Sequence, residues 1–156
     1  MPPEAGWELR NATADDVDMI RELVRSAYAK WVPVIGREPL PMRADYERAV
    51  QEHQIDLAFV DGRLVGLIEM ILRDYHLWIE NLAVRPQEQG KGFGRRLLAH
   101  AERRAIEAGR VETRLLTNAE FKDNVALYEK SGYRVVSREP FMDGTTVYMS
   151  KRLSVR

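Results

Sequence analysis

Apolar residues recur at three- and four-residue steps through Val17, Ile20, Val24, Ala27, Tyr28 and Trp31, the spacing that lines up side chains on one face of a helix. Thr13 followed by Asp16 supplies a capping side chain and a first-turn acid. A helix is therefore predicted from about Ala14 to Lys30, after a short strand over Trp7 to Arg10. Pro33, Gly36, Pro39 and Pro41 break regular structure, and a second short helix is expected over Met42 to Glu52. Leu57 to Val60 and Leu64 to Leu72 flank Asp61-Gly62, a pair suited to the positive φ angles of a two-residue hairpin turn. Leu77 to Val84 is a further strand. Helical spacing returns at Phe93, Leu97, Leu98, Ala101 and Ala105, predicting a helix from about Gly92 to Ala108 closed by Gly109. Val111 to Thr117 reads as strand, Phe121 to Ser131 as a helix ended by Gly132, and Tyr133 to Arg138 pairs with Thr145 to Lys151 across Asp143-Gly144.

This element order predicts an α/β (α+β mixed) architecture, a mostly antiparallel sheet of about six or seven strands with about four helices on its faces. The helix between the strands ending at Val84 and Thr117 is expected to be a right-handed parallel crossover. At 156 residues the chain fits one domain spanning 1–156.

Composition removes several function classes. With 45% hydrophobic and 31% charged residues the chain is neither disordered, collagenous nor membrane-spanning. Cysteine is absent, which excludes disulfides, thiol nucleophiles and thiolate metal sites. Met1 to Arg10 show no apolar run behind basic residues, so no signal peptide is read and a cytoplasmic location is expected. Lys+Arg and Asp+Glu are both 24, which argues against nucleic-acid or membrane-surface binding. Residues 1 to 78 nevertheless carry 9 basic and 14 acidic side chains, leaving the second half net basic. This split is either solvated charge or an anionic ligand held by the second half with a cationic one approaching the first.

Gln89-Gly90-Lys91-Gly92-Phe93-Gly94-Arg95-Arg96 sits between a strand and a helix. Glycines there allow a sharp turn with exposed N–H groups, and the helix N-terminus adds partial positive charge, a combination that suits phosphate. Such glycines also occur for steric reasons alone, but Lys91, Arg95 and Arg96 favour an anion. A dinucleotide fingerprint would need glycine at Arg95, and a triphosphate loop would need Gly-Lys-Ser/Thr, so neither is present.

The run Gln89 through Gly94 resembles the cofactor motif Gln/Arg-x-x-Gly-x-Gly/Ala of the GCN5-related N-acetyltransferase (GNAT) superfamily. Glu80-Asn81-Leu82-Ala83-Val84-Arg85-Pro86 looks like that family's fourth strand and its exit, and Asn124 to Tyr133 like the helix and strand completing the cofactor site. The resemblance implies a GNAT fold with splayed fourth and fifth strands, and acetyl-coenzyme A as cosubstrate. Its pyrophosphate would lie on Gln89, Gly90, Lys91, Gly92, Phe93 and Gly94, with Arg95 as a further contact and Asn124 nearby. Its pantetheine arm would contact the backbone of Leu82 and Val84. The same resemblance gives Tyr128 the role of acid toward the leaving thiolate, although a lone helical tyrosine can equally be core.

An alkyl amine with a pKa of about 10 must lose a proton before it attacks, so a base is needed. Glu80 is the first candidate, Glu69 the second, and His76 or a water relay further ones; His53 and His100 are expected to face solvent, with no metal site. Acceptor recognition is expected from Tyr28, Trp31, Met42, Tyr46 and Glu69 and from the loop between Val32 and Pro41, the aromatics being alternatively core residues. The leading expectation is direct acetyl transfer to a primary amine of a small molecule or peptide, with a homodimer implied by analogy. The alternative is a noncatalytic acyl-coenzyme A sensor.

Overall fold

The computed structural model describes residues 6–154, so Met1 to Ala5, on which part of the signal-peptide reading rests, lie outside the described residues. The described residues form seven strands: β1 (Trp7–Asn11), β2 (Gln54–Val60), β3 (Arg63–Leu72), β4 (Leu77–Val84), β5 (Glu112–Asn118), β6 (Arg134–Phe141) and β7 (Gly144–Arg152). They lie in the order β1-β2-β3-β4-β5-β7-β6. Among the described residues only β4 and β5 run parallel, as the crossover argument requires. The final strand lies inside the sheet, between β5 and β6, and β6 is an outer edge.

The first helical stripe becomes α1 (Val17–Tyr28), entered through a short turn over Ala14–Asp16 with the Thr13/Asp16 capping box in place. A single-turn helix α2 (Val32–Ile35) follows and ends at Gly36, which takes φ 75°. The predicted Met42 to Glu52 helix is shorter: a turn over Leu40–Arg43 is separated by Ala44 from α3 (Tyr46–Glu52), whose start is fixed by the Asp45 side chain accepting from the Arg48 N–H. The crossover helix is α4 (Phe93–Glu107), and α5 (Lys122–Lys130) precedes β6.

Two cores lie on opposite faces of the sheet. Val65, Ile68, Met70, Leu97, Leu98 and Ala101 belong to the core under α4, and Ile20, Leu23, Val24, Leu57, Leu67 and Tyr46 to the core under α1 and α3. The hairpin turn is Asp61-Gly62 with φ of 50° and 82°, the two positive values of a type I′ turn. The last hairpin departs from expectation by one residue. Seven residue pairs lock β7 to β5, and Phe141 pairs with Gly144, so the turn falls on Met142-Asp143 and Met142 takes φ 53°.

His53 and His100 do not face solvent as expected, because buried acids of the sheet meet both. His53 Nδ1 is 2.6 Å from Glu69 Oε2 and His100 Nε2 is 2.6 Å from Asp56 Oδ2. Burial alone would raise the Asp56 carboxyl, but hydrogen bonds from His100, Asn11 and Gln54 outweigh it and hold the group below its usual range. A depressed carboxyl stabilises the fold above its unfolded pKa of about 3.9 and loses that contribution as pH falls through the folded value. Asp56→Ala should therefore cost about 1–3 kcal/mol at pH 7. The gap between variant and wild type in urea unfolding should narrow below about pH 4.

Candidate active site

One extra residue in β4 shapes the centre of the molecule. Glu69 pairs with Asn81 and Met70 with Ile79, so Glu80 is a β-bulge without a partner on β3. The bulge shifts the alternation of side chains. Ile79 and Leu82 both enter the core under α4, while Ala83 enters the core on the other face. On the same stretch the parallel pairing ends: β4 and β5 pair at Leu77/Thr113, Trp78/Arg114 and Ile79/Leu115, and then separate.

The edge of β4 beyond Ile79 carries usable backbone. The Tyr28 hydroxyl donates to the Leu82 carbonyl at 3.3 Å and Gln89 Nε2 to the Val84 carbonyl at 3.0 Å, whereas Arg85 N donates to Val65 on β3. Both backbone groups of a strand residue project toward the same edge. The N–H groups of Leu82 and Val84 thus point away from β3, into the gap left by β5.

A groove of about 640 Å³ runs from this gap to the glycine turn. Leu82, Val84, Gln89, Gly90, Gly92, Phe93, Gly94, Arg95 and Asn124 all line it; Lys91 does not, its Nζ lying 3.1 Å from Glu88 Oε1. Gly90 and Gly92 have φ of 81° and 88°, and a Cβ on either would meet nothing within 4 Å. These glycines are therefore required by backbone conformation, and the turn stays open toward the groove. Among the described residues no side chain caps α4, which leaves its first N–H groups for a ligand. Gly94 serves differently: a Cβ there would stand 3.0 Å from Leu127 Cδ2, so it permits α4 and α5 to approach. Lys30, not singled out by its sequence context, spans the groove mouth, with Nζ 2.9 Å from Gln89 Oε1 and 3.4 Å from Asp123 Oδ2.

A smaller cavity of about 110 Å³ opens on the other side of the gap. It holds Glu80, whose Oε1 accepts from Trp78 Nε1 at 2.8 Å. The loop 32–41 borders it as expected, through Ile35, Arg37, Pro39, Leu40 and Pro41. Tyr28, Leu82, Asn124 and Tyr128 line both spaces and form their junction. Tyr128 is 5% exposed, packs edge-on to Tyr133, and makes no hydrogen bond through its hydroxyl among the described residues. Burial raises its pKa above the ordinary phenol value, so the hydroxyl keeps its proton near neutral pH.

The remaining candidates stand farther back. Trp31 lines the groove and stacks on Phe121 at 4.8 Å. Met42 packs against the core beneath α1, and Tyr46 and Glu69 are buried; these three line neither space. His76 lies against Trp78, also outside both. Burial raises the Glu69 carboxyl and His53 offsets this only in part, while the nearby charge of Glu80 adds to the rise. Asn81 was not expected. It accepts from the Tyr28 hydroxyl at 2.8 Å and donates to the Tyr46 hydroxyl at 3.1 Å, which in turn donates to the Pro41 carbonyl at 2.7 Å. The available signal was an amide beside Glu80 in a strand whose other residues are apolar.

A splayed parallel strand pair, an open glycine turn at a helix start and a groove joining them make a site suited to an elongated ligand that carries phosphate. The model of the acetyltransferase (GNAT) family matches residues 17–133. The chain is 31% identical over 140 residues to aminoalkylphosphonate N-acetyltransferase of Salmonella typhimurium, covering 81% of this chain and 84% of that protein. It is 25% identical to spermidine N(1)-acetyltransferase of Thermoplasma acidophilum, over 93% and 96% of the two chains. Among solved structures, the PaiA N-acetyltransferase of Thermoplasma acidophilum in complex with coenzyme A superposes with a TM-score of 0.81 at 22% identity, over 95% of this chain and 99% of that one. The chain belongs to the GNAT family and is an acetyl-coenzyme A-dependent N-acetyltransferase. Among the described residues no group of His, Cys, Asp and Glu could hold a metal, and no helix is long and apolar enough to cross a membrane.

Asn81→Ala should remove one of two hydrogen-bond partners from each of two buried phenol hydroxyls, leaving the Leu82 and Pro41 carbonyls as their acceptors, and cost about 1–2 kcal/mol. Urea unfolding of the purified variant measures this, with circular dichroism confirming that the fold is retained.

Proposed function

We propose that the protein, acting as one domain over residues 1–156, acetylates the primary amine of a small molecule directly at the junction of the two cavities. The observation that carries this is the shared lining: Tyr28, Leu82, Asn124 and Tyr128 face the cofactor groove on one side and the acceptor cavity on the other. The relatives that act on an aminoalkylphosphonate and on spermidine support a small acceptor over a protein one.

Acetyl-coenzyme A supplies a thioester whose carbonyl carbon the amine nitrogen attacks, the C–N bond forming as the C–S bond breaks. Gln89, Gly90, Gly92, Phe93, Gly94 and Arg95 form the pyrophosphate cradle, with Lys91 at its rim. The N–H groups of Leu82 and Val84, directed into the gap, are suited to the thioester oxygen as negative charge grows on it. At pH 7 about one alkyl amine in a few thousand is neutral, so Glu80, the carboxylate in the acceptor cavity, takes the proton, directly or through water. Tyr128 holds its proton for the departing sulfur. Because its pKa lies above that of a thiol, its contribution is a hydrogen bond to the thiolate rather than complete proton transfer. Tyr28 and Tyr46 do not titrate near neutrality, since burial raises both; through Asn81 they hold the bulge in place. The proposal puts the protein in the cytoplasm, with β6 as the strand through which two copies would pair.

Thiol release from acetyl-coenzyme A in the presence of amines tests the assignment. Tyr128→Phe should lower kcat about 100-fold with coenzyme A binding retained; an unchanged kcat would remove Tyr128 from the mechanism. Glu80→Gln should lower kcat by a similar factor, and a full-rate variant would assign the base elsewhere.

A further inference from the structure

The acceptor cavity contains two charged side chains, Glu80 and Arg37, and the rest of its lining is neutral. Neither takes part in an ion pair among the described residues. This sets Arg37 apart from neighbouring arginines: Arg25 is paired with Glu38 at 2.7 Å and Arg85 with Glu22 at 2.8 Å. The Arg37 guanidinium instead lies 5.9 Å from the centre of the Phe141 ring and donates one hydrogen bond, of 3.3 Å, to the Glu38 carbonyl. Most of its N–H groups are therefore uncommitted. Ile35, Pro39 and Leu40 make the neighbouring wall apolar, and an apolar wall strengthens a charge interaction made beside it.

We propose that the acceptor is a small amine bearing an anionic group, a carboxylate or phosphonate, at the end away from the amine, and that Arg37 binds that group. This rests on the assignment of the cavity to the acceptor and adds a specificity residue to it. Glu80 and the junction receive the ammonium end; Arg37 receives the anion through its planar fork of donors, which matches two oxygens of either group. A polyamine would place a second cation in the cavity that holds this guanidinium, and repulsion would count against it. The two named relatives differ on this point, one acting on an aminoalkylphosphonate and the other on spermidine. An unpaired arginine in the cavity favours the first kind of acceptor for this chain.

A matched panel tests the proposal: 2-aminoethylphosphonate, 3-aminopropanoate, propylamine and spermidine, each assayed by coenzyme A release with wild type and with Arg37→Ala. The wild type should favour one of the two anionic amines over propylamine and spermidine by at least about 10-fold in kcat/KM. Comparing the phosphonate with the carboxylate identifies which anion is used. Arg37→Ala should lower kcat/KM for the anionic amines by about 10- to 100-fold, mainly through KM. Its rate with propylamine should stay within about twofold. Preference for spermidine or propylamine, or an equal loss on all four acceptors, would overturn the proposal. If none of the four releases coenzyme A, the assignment of catalysis to this cavity fails with them. Calorimetric binding of the anionic amines to coenzyme A-loaded protein then decides the role of Arg37: binding that weakens at least 10-fold in Arg37→Ala supports it, and absent or unchanged binding refutes it.

Discussion

Inserting Glu80 between two residues of β4 that are each matched to β3 removes one position from the ladder and turns the rest of the strand over. Three features of the site depend on that insertion. Glu80 itself projects into the acceptor cavity, Asn81 is brought to the side of Tyr28 and Tyr46, and Leu82 returns to the core under α4. Strand β5 cannot follow the altered course. Its partner from Leu116 onward is β7 alone, and that leaves the edge of β4 open to a ligand.

An interrupted ladder exposes polar backbone that water would satisfy only by filling the core, so the bulge needs buried polar partners. The Tyr28 hydroxyl supplies one, 3.3 Å from the Leu82 carbonyl, and it is held there by Asn81. The Asn81 amide bridges a hydroxyl from α1 and one from α3, and the second is tied to the Pro41 carbonyl on the loop that walls the acceptor cavity. The same chain that stabilises the bulge thereby fixes the position of the loop. Its members remain neutral because burial raises both phenols, so it connects three elements without placing a charge in the core.

The element order, the hairpin turn and the glycine cradle were legible because each rests on local rules: periodicity, positive φ, and N–H groups at a helix start. The site was legible where it is built from backbone. Leu82, Val84, Gln89, Gly90, Gly92, Phe93, Gly94 and Arg95 lie together along one groove because strand, turn and helix are consecutive in the chain. Side chains that meet across the sheet were less readable. Tyr46 and Glu69 have the composition of an acceptor wall, yet both are buried away from the cavity, and only the tertiary arrangement reveals His53 as the partner of Glu69. Likewise, the turn at Met142-Asp143 is set by the pairing of β7 with β5 rather than by the glycine next to it.

The division of charge along the chain shows why a sequence average does not describe a site. The first half is net acidic, but it provides Lys30 at the mouth of the cofactor groove and Arg37 in the acceptor cavity. The net basic second half provides Glu80. Folding mixes the signs because both spaces lie between the halves: the end of α1 and the loop after it form one wall, and β4, β5 and α5 form the other. A charge on one wall acts on a ligand only over the few ångströms where the other wall excludes water. Within that distance the cavity is bipolar, with its acid on the bulge and its guanidinium on the loop. The bulge that opens the sheet for the cofactor thus also places the negative pole, and its hydrogen-bonded tie to the loop sets how far away the positive one stands.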